Sequence, residues 1–191
     1  MKALIVTLIA ASATLAGCHG SPKGPYGYTE SYRTVEKSVP GVAGCHNDSV
    51  DRFLLLFSPL DAKYIDQNID SVYADPLYFN DTLVTLKGRD ALREHLIKTA
   101  ERLDQMSLEV LQLICSENSS DVFVLWQMDA QFTLFNKPRL SSTIGISQLR
   151  VDENGLIQFH QDFWDSSQGL DQHLPLLGPA TRWLRHHSPD D

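Results

Sequence analysis

The segment FHQDFWD, residues 159–165, holds the densest group of side chains that could do chemistry. On a β-strand, His160, Asp162 and Trp164 share one face, and residues two apart lie about 6.6 Å from each other. A nearby carboxylate favours the cationic form of a histidine, which can then act as acid or base near neutral pH. The segment therefore predicts one of two things. It is either a catalytic site built on His160 and Asp162, or a strand end whose polar side chains bond only to their neighbours.

Helices are predicted before this segment. The stretch DSVDRFLLLF has a dense apolar stripe that predicts a helix over residues 49–58. Ser58 and Pro59 then fit the N-cap and first residue of a second helix that runs to Val72. Apolar residues recur at helical spacing again and predict a third helix over residues 89–105.

Strands dominate the second half of the chain. From Val122 to Leu134 every second residue is apolar, which predicts a strand whose apolar set, Trp126 included, faces the core. Further strands are predicted over residues 140–151 and 156–165. The turn DENG between them has Asn154-Gly155 in left-handed positions, and a short helix follows around Trp183. Helices followed by an antiparallel meander indicate an α+β fold.

The N-terminus has the layout of an export signal. Lys2 precedes a short apolar stretch and then the sequence LAGC, which resembles the bacterial lipoprotein signal box. That resemblance implies cleavage before Cys18 and lipidation of its thiol. We therefore expect a signal peptide over residues 1–17, a lipid-anchored tether over 18–46 and one domain over 47–188. His19 replaces the aspartate that marks inner-membrane retention, so we expect an outer-membrane protein facing the periplasm.

Composition narrows the partners. The formal net charge is −8, and no basic stripe is present, which argues against nucleic acid. No HExxH, CxxC or phosphate-loop motif occurs, so we expect no metal and no cofactor. Cys45 and Cys115 remain beyond the anchor. An oxidising compartment permits a bridge between them, and a buried free thiol at Cys115 is the alternative.

The order of these elements resembles the nuclear transport factor 2-like superfamily, and the ending HQDFWD is most similar to its SnoaL-like domains. The segments that carry the resemblance are YADPLYFND, GRDALREHL and DENGLI. It implies a curved antiparallel sheet wrapped around N-terminal helices to form a cone with a pocket at its open end. The superfamily includes ketosteroid isomerase, epoxide hydrolases, polyketide cyclases and members without chemistry, so fold alone does not decide function.

The resemblance to ketosteroid isomerase can be followed residue by residue. Asp81 falls where that enzyme has its general base, Phe53 where it has a hydrogen-bonding tyrosine, and Ser147 where it has a protonated aspartate. Phenylalanine donates no proton and serine is a weak donor, so this isomerisation is not expected. An epoxide hydrolase of the superfamily needs an arginine between two aspartates, and Arg150 is the strand arginine on offer.

The resulting hypothesis is a membrane-anchored, non-catalytic domain that binds a small apolar ligand. The alternative is a proton-transfer enzyme (isomerase, dehydratase or hydrolase) acting on a small apolar carbonyl or epoxide compound. The catalytic candidates are Asp81, His160 and Asp162, and the predicted pocket walls are Phe53, Tyr78, Trp126, Ser147 and Trp164. The candidate partners are the membrane through acylated Cys18, the small ligand, and a second copy of the chain across the sheet.

Overall fold

A computed structural model describes residues 27–187 of the 191-residue chain. Short 3₁₀ turns cover Ile69–Ser71 and Asp171–His173. Within residues 27–187, no helix is long and apolar enough to cross a membrane. In chain order the elements are α1 (Thr29–Ser38), α2 (Asn47–Phe57), α3 (Ala62–Asn68), β1 (Tyr73–Asn80), β2 (Thr85–Lys87), α4 (Arg89–Ala100), β3 (Leu103–Ile114), β4 (Val122–Leu134), β5 (Lys137–Val151), β6 (Ile157–Trp164), α5 (Ser166–Gly169) and α6 (Leu177–His186).

The six strands form one curved sheet in the order β2-β1-β6-β5-β4-β3. Neighbouring strands are antiparallel except β1 and β6, which are parallel. The hydrophobic core lies between the inner face of the sheet and helices α2, α3 and α4. Its buried members include Phe53, Leu56, Ile65, Leu92, Leu96, Val122, Val124, Trp126 and Leu149. This is the predicted α+β class, and the alternation in β4 faces the core as expected.

A bulge in β6 changes which side chains reach that core. Val151 pairs with Ile157 and Arg150 pairs with Phe159, so Gln158 has no partner in the ladder. The extra residue shifts the alternation by one position. Ile157 and His160 therefore both face the core, although strict alternation would put these two residues, three positions apart, on opposite faces. Gln158 turns outward and its amide donates to the Pro40 carbonyl over 2.9 Å.

The prediction of a tether over residues 18–46 is wrong where the structure describes that segment. Helix α1 packs on the outer face of the sheet, with the Tyr32 ring 5.6 Å from the Phe163 ring. Beyond the helix, the Val42 amide bonds to the Val151 carbonyl over 2.9 Å. Cys45 and Cys115 form a disulfide with their Cα atoms 5.2 Å apart. Residues 27–46 are thus part of the domain, while Cys18 lies outside the described residues.

Three element boundaries also differ from the prediction. Helix α4 ends at Ala100 because the chain then enters β3, which takes the apolar residues assigned to the helix end. Helix α3 is capped by Asp61, whose carboxylate accepts from the Tyr64 amide over 2.7 Å, and not by Ser58. In the turn before β6, Gly155 has a positive φ of 77°, and Asn154 is not among the residues with positive φ.

Candidate functional site: a closed polar cluster and an open groove

His160 is held between two partners on the inner face of β6. Its Nε2 lies 2.7 Å from the Asp162 carboxylate and its Nδ1 lies 2.8 Å from the Tyr73 hydroxyl. Burial, and secondly the Asp162 charge, raise the pKa of Tyr73 well above its ordinary value. Tyr73 therefore stays protonated, and the Asp162 carboxylate accepts from Nε2. His160 and Asp162 are in hydrogen-bond contact, and Tyr73 is a partner that the sequence did not predict.

The same carboxylate is the end of a second chain of donors. The Ser147 hydroxyl donates to Asp162 Oδ1 over 2.5 Å, and the Trp126 indole N–H donates to Ser147 Oγ over 2.9 Å. Strand pairing explains the arrangement. Ser147 on β5 pairs with Asp162 on β6 and with Val124 on β4, and Trp126 lies two residues after Val124 on the same face of β4. We call Tyr73, His160, Asp162, Ser147 and Trp126 the inner polar cluster.

Aromatic rings surround the histidine of this cluster. The Phe79 and Phe53 rings meet the His160 ring edge to face at 4.8 and 5.3 Å, and the Tyr73 ring stacks on it at 6.0 Å. The His160 side chain is 1% exposed. Phe53 and Trp126, predicted as pocket walls, are therefore packed core residues. Ser147, in the position of the isomerase acid, bonds inside the cluster instead.

Asp81 lies apart from the inner polar cluster. Its Oδ2 bonds to His95 Nε2 over 2.9 Å, and its Oδ1 accepts from the amides of Leu83 and Val84. Burial raises the pKa of Asp81, but the hydrogen bonds from His95 and Val84 outweigh burial, so the pKa falls below its ordinary value. The two side chains are 22% and 26% exposed. The predicted pairing of Asp81 with His160 is replaced by a pair with His95, three residues after buried Leu92 on α4.

The remaining predicted residues divide between the two faces of the sheet. The Tyr78 ring lies on the outer face, stacked on Phe159 at 5.2 Å, with its hydroxyl donating to Gln161 over 3.2 Å. Tyr78 is therefore not a wall beside His160. Trp164 does face inward, and its indole N–H donates to the Asp81 carbonyl over 2.7 Å. Arg150 points outward and pairs with Asp121 at 2.6 Å, far from any epoxide-hydrolase arrangement with Asp81.

An open groove of about 730 Å³ lies at the other end of the inner face. None of the predicted site residues lines it. It runs between the loop before α3 and three strand ends, which are the start of β3, the end of β4 and the start of β5. Its walls are Pro59, Leu60, Asp61, Leu103, Asp104, Gln105, Met106, Ser107, Asp129, Ala130, Gln131, Leu140, Ser141 and Ser142.

Two buried hydroxyls lie between this groove and the inner polar cluster. Ser141 lines the groove, and Thr143 is two residues further along β5 toward Trp126. Both side chains are buried, at 5% and 1% exposure, and neither hydroxyl oxygen has a hydrogen-bond partner among the described residues. A buried hydroxyl without a partner costs free energy. No cluster of three or more His, Cys, Asp or Glu that could hold a metal occurs within residues 27–187.

A family model described as "Uncharacterized conserved protein (DUF2358)" matches residues 53–160, from α2 to the histidine of the inner polar cluster. The chain belongs to this family. The match spans the core helices and ends inside β6, so the family segment includes four of the five cluster residues. No curated protein matches the chain.

Solved structures show the fold. An NTF2-like protein of unknown function from Exiguobacterium sp. 255-15 is 18% identical, with a TM-score of 0.53 over 61% of this chain and 98% of that one. A candidate SnoaL-like polyketide cyclase from Shewanella putrefaciens CN-32 is 11% identical, with a TM-score of 0.56 over 65% and 93%. A protein of ketosteroid isomerase-like fold from Catenulispora acidiphila DSM 44928, solved with trimethylamine, is 13% identical, with a TM-score of 0.53 over 64% and 88%. The DUF2358 chain thus has the nuclear transport factor 2-like fold that its sequence resembles.

Proposed function

We propose that this protein is a non-catalytic domain that binds a small organic ligand in the groove between α3 and strands β3 to β5. The observation that carries the proposal is the open groove of about 730 Å³, a size that suits a small molecule.

The occupied acid-base groups support binding without chemistry. Both nitrogens of His160 are bonded, and both oxygens of Asp81 accept hydrogen bonds. A general acid or base must reach the substrate proton within hydrogen-bond distance. The alternative, a proton-transfer enzyme, requires one of these groups to leave its partner and the aromatic rings around His160 to open.

The groove wall favours a neutral or cationic ligand with an apolar body. It contains three carboxylates, Asp61, Asp104 and Asp129, and no lysine or arginine. Pro59, Leu60, Leu103 and Met106 supply apolar surface. An anionic ligand would meet like charge without a compensating cation.

Three probes with the same ring test this preference: benzyltrimethylammonium, benzyl alcohol and benzoate. Titrated into ¹⁵N-labelled protein, they should shift the Ser141 and Met106 amide resonances with affinity falling from cation to alcohol to benzoate. The double variant Asp104→Asn/Asp129→Asn should lose the cation's advantage and keep alcohol binding. Glu153→Gln, in the β5–β6 turn, is the matched control. Equal shifts by all three probes, or shifts confined to residues outside the groove, would refute the assignment.

The proposed location is the cell envelope, with acylated Cys18 in the outer membrane and the domain facing the periplasm. Support comes from the LAGC signal and from the Cys45–Cys115 bridge, because structural disulfides persist in oxidising compartments.

A homodimer across the outer face of the sheet is proposed as the oligomeric state. Leu140 and Ile144, on the outer face of β5, are 75% and 58% exposed. Such a face marks an interaction site. Sedimentation velocity should give a dimer for the parent chain and a monomer for Ile144→Asp. A parent chain that sediments as a monomer would contradict the dimer.

A further inference from the structure

Helix α6 is attached to the domain through its polar side. The Arg185 guanidinium bonds to Asp165 at 2.7 and 2.8 Å and to the Ser167 hydroxyl at 2.9 Å. Arg182 donates to the Gln172 carbonyl. A Cβ at Gly178 would overlap that same carbonyl, so the helix lies tightly against the turn before it.

The apolar side of α6 faces away from the domain. Leu176, Leu177, Trp183 and Leu184 are 90%, 54%, 59% and 63% exposed. At 3.6 residues per turn these side chains fall within an arc of about 120°. A surface helix of a soluble domain normally buries such an arc against the core. Here the orientation is reversed, and a contiguous exposed apolar face marks an interaction site.

Charge indicates which surface covers this face. From Gln172 to His187 the chain has no aspartate or glutamate, and it carries Arg182, Arg185, His186 and His187. Helix α6 itself contains Arg182 and Arg185 and no acidic residue, whereas the whole chain has a net charge of −8, and Asp190 and Asp191 follow the helix in sequence. Tryptophan and leucine on one face with basic residues on the other is the pattern of helices that lie in a membrane interface.

The start of the described chain lies at the same end of the molecule. The Tyr28 ring is 6.1 Å from the Phe163 ring, and Asp165, two residues after Phe163, holds Arg185 of α6. Nine residues separate Cys18 from Tyr28, so the two Cα atoms lie at most about 36 Å apart. A lipid anchor at Cys18 would therefore keep α6 close to the bilayer.

We propose that α6 lies in the interface of an anionic phospholipid bilayer, with Leu176, Leu177, Trp183 and Leu184 at the acyl boundary. The closeness to the bilayer rests on the proposed anchor, whereas the affinity of the helix for lipid does not.

Trp183 reports the contact directly. The full chain, purified in detergent, is incorporated into phosphatidylethanolamine–phosphatidylglycerol vesicles with and without brominated acyl chains, which quench tryptophan at the acyl boundary. Trp183 is one of three tryptophans, so its quenching should remove about a third of the emission. Trp183→Phe should lose this quenching, because Trp126 is buried and Trp164 is half-buried. Leu177→Ser/Leu184→Ser keeps the reporter and should also lose it.

The control is Leu55→Ser, which removes an equally exposed leucine, 57%, from α2 and should leave the quenching unchanged. Near-ultraviolet circular dichroism checks that each variant is folded. Association of the parent chain with the vesicles without quenching of Trp183 would overturn the proposal for α6 and leave the anchor standing. If the parent chain is found to carry no acyl group and Trp183 is still quenched, the result would support the proposal for α6 and refute the anchor. A third outcome is that Trp183 is unquenched, the parent chain is a dimer and Leu177→Ser/Leu184→Ser is a monomer. That outcome would overturn the proposal and assign the apolar face of α6 to a second copy of the chain.

Discussion

Two series of side-chain hydrogen bonds end at the Asp162 carboxylate. One runs from Trp126 through Ser147, and the other runs from Tyr73 through His160. Each donor in these series has an acceptor, so the carboxylate is held by hydrogen bonds from Ser147 and His160. Buried polar groups that are fully satisfied stabilise one arrangement of a core. The inner polar cluster therefore fits a structural role better than an acid-base role.

Removing one hydroxyl from this cluster should be costly. Tyr73→Phe leaves His160 Nδ1 buried without its hydrogen-bond partner, and we expect the free energy of unfolding to fall by about 1–3 kcal/mol. Urea denaturation of both proteins measures the change. Tyr64→Phe is the matched control, because Tyr64 is exposed and its loss of a hydroxyl should change stability by less than about 0.5 kcal/mol. Equal effects of the two substitutions would show that the Tyr73–His160 bond contributes nothing.

The Asp81–His95 pair should make stability depend on pH. The folded-state pKa of Asp81 lies below its ordinary value of 3.8, so the charged form is favoured by folding. Its contribution is complete above the unfolded pKa and is lost as the pH falls through the folded pKa. Between about pH 5 and pH 2 the parent chain should therefore lose more stability than Asp81→Asn does.

Thermal unfolding at a series of pH values tests this difference. His95→Gln keeps an amide donor for Asp81 but no charge, and should retain part of the parent's pH dependence. Parallel curves for the parent chain and Asp81→Asn would show that the pair does not stabilise the folded state.

The site was predictable where partners are close in the chain. The spacing of His160 and Asp162 on one strand brought them together, and the observed distance of 2.7 Å agrees. Tyr73 and His95 were missed because their partners are 87 and 14 residues away in sequence. A signal for His95 existed in its position beside buried Leu92 and Leu96, which places it at the edge of the inner face.

At the scale of elements, the absence of a side chain at Gly145 leaves room on β5 for the Trp126 indole. Gly145 pairs with Trp126 on β4 and with Trp164 on β6, and a Cβ there would overlap the Trp126 indole. Gly145→Ala should lower the free energy of unfolding by about 1–3 kcal/mol through overpacking. In a Trp126→Ala background, which itself should cost about 3–5 kcal/mol, that penalty should vanish.

A double-mutant cycle by urea denaturation measures this coupling. Ser142→Ala, at an exposed position on the same strand, controls for the effect of alanine in β5 and should be close to neutral. Additive losses in the double variant would mean that the alanine methyl does not meet Trp126. A Trp126→Ala loss below about 1 kcal/mol would place Trp126 outside the core.

Elements with strong periodicity were predicted, and those that depend on distant packing were not. The alternation in β4 identified both the strand and its inner face. Helix α1 was missed because its contacts come from Tyr28 and Tyr32, four residues apart in a stretch rich in glycine, proline and serine, and their partner Phe163 lies more than 130 positions away in the chain. The end of α4 was misplaced because Leu103 and Met106 continue the helical spacing but pair with β4.

At the scale of the molecule, the N-terminal segment connects the outer face of the sheet to the proposed anchor at Cys18. Helix α1 covers Phe159 and Phe163, Glu36 pairs with Arg150 at 3.1 Å, and the disulfide closes a separation of 70 residues. A segment held at both points leaves few residues free between Cys18 and the domain. A short link orients a domain on its membrane, and here it would orient the end that carries α6.

The anchor itself is tested by removing its thiol. Cys18 is the one of the three cysteines outside the bridge, so Cys18→Ser removes the acceptor of the acyl chains and leaves Cys45–Cys115 intact. Because the substitution also removes the predicted cleavage point, the variant carries a conventional cleavable secretory signal in place of residues 1–17.

Each buried methylene of an acyl chain contributes about 0.8 kcal/mol, so the parent chain should remain in the outer-membrane fraction after a salt wash. The variant should appear in the soluble periplasmic fraction, because α6 alone binds reversibly, and Cys45→Ser should stay with the membrane. Intact mass spectrometry should find the acyl chains on the parent chain and on Cys45→Ser. A Cys18→Ser protein that still sediments after the wash, or a parent chain without acyl mass, would show that another feature holds the protein at the membrane.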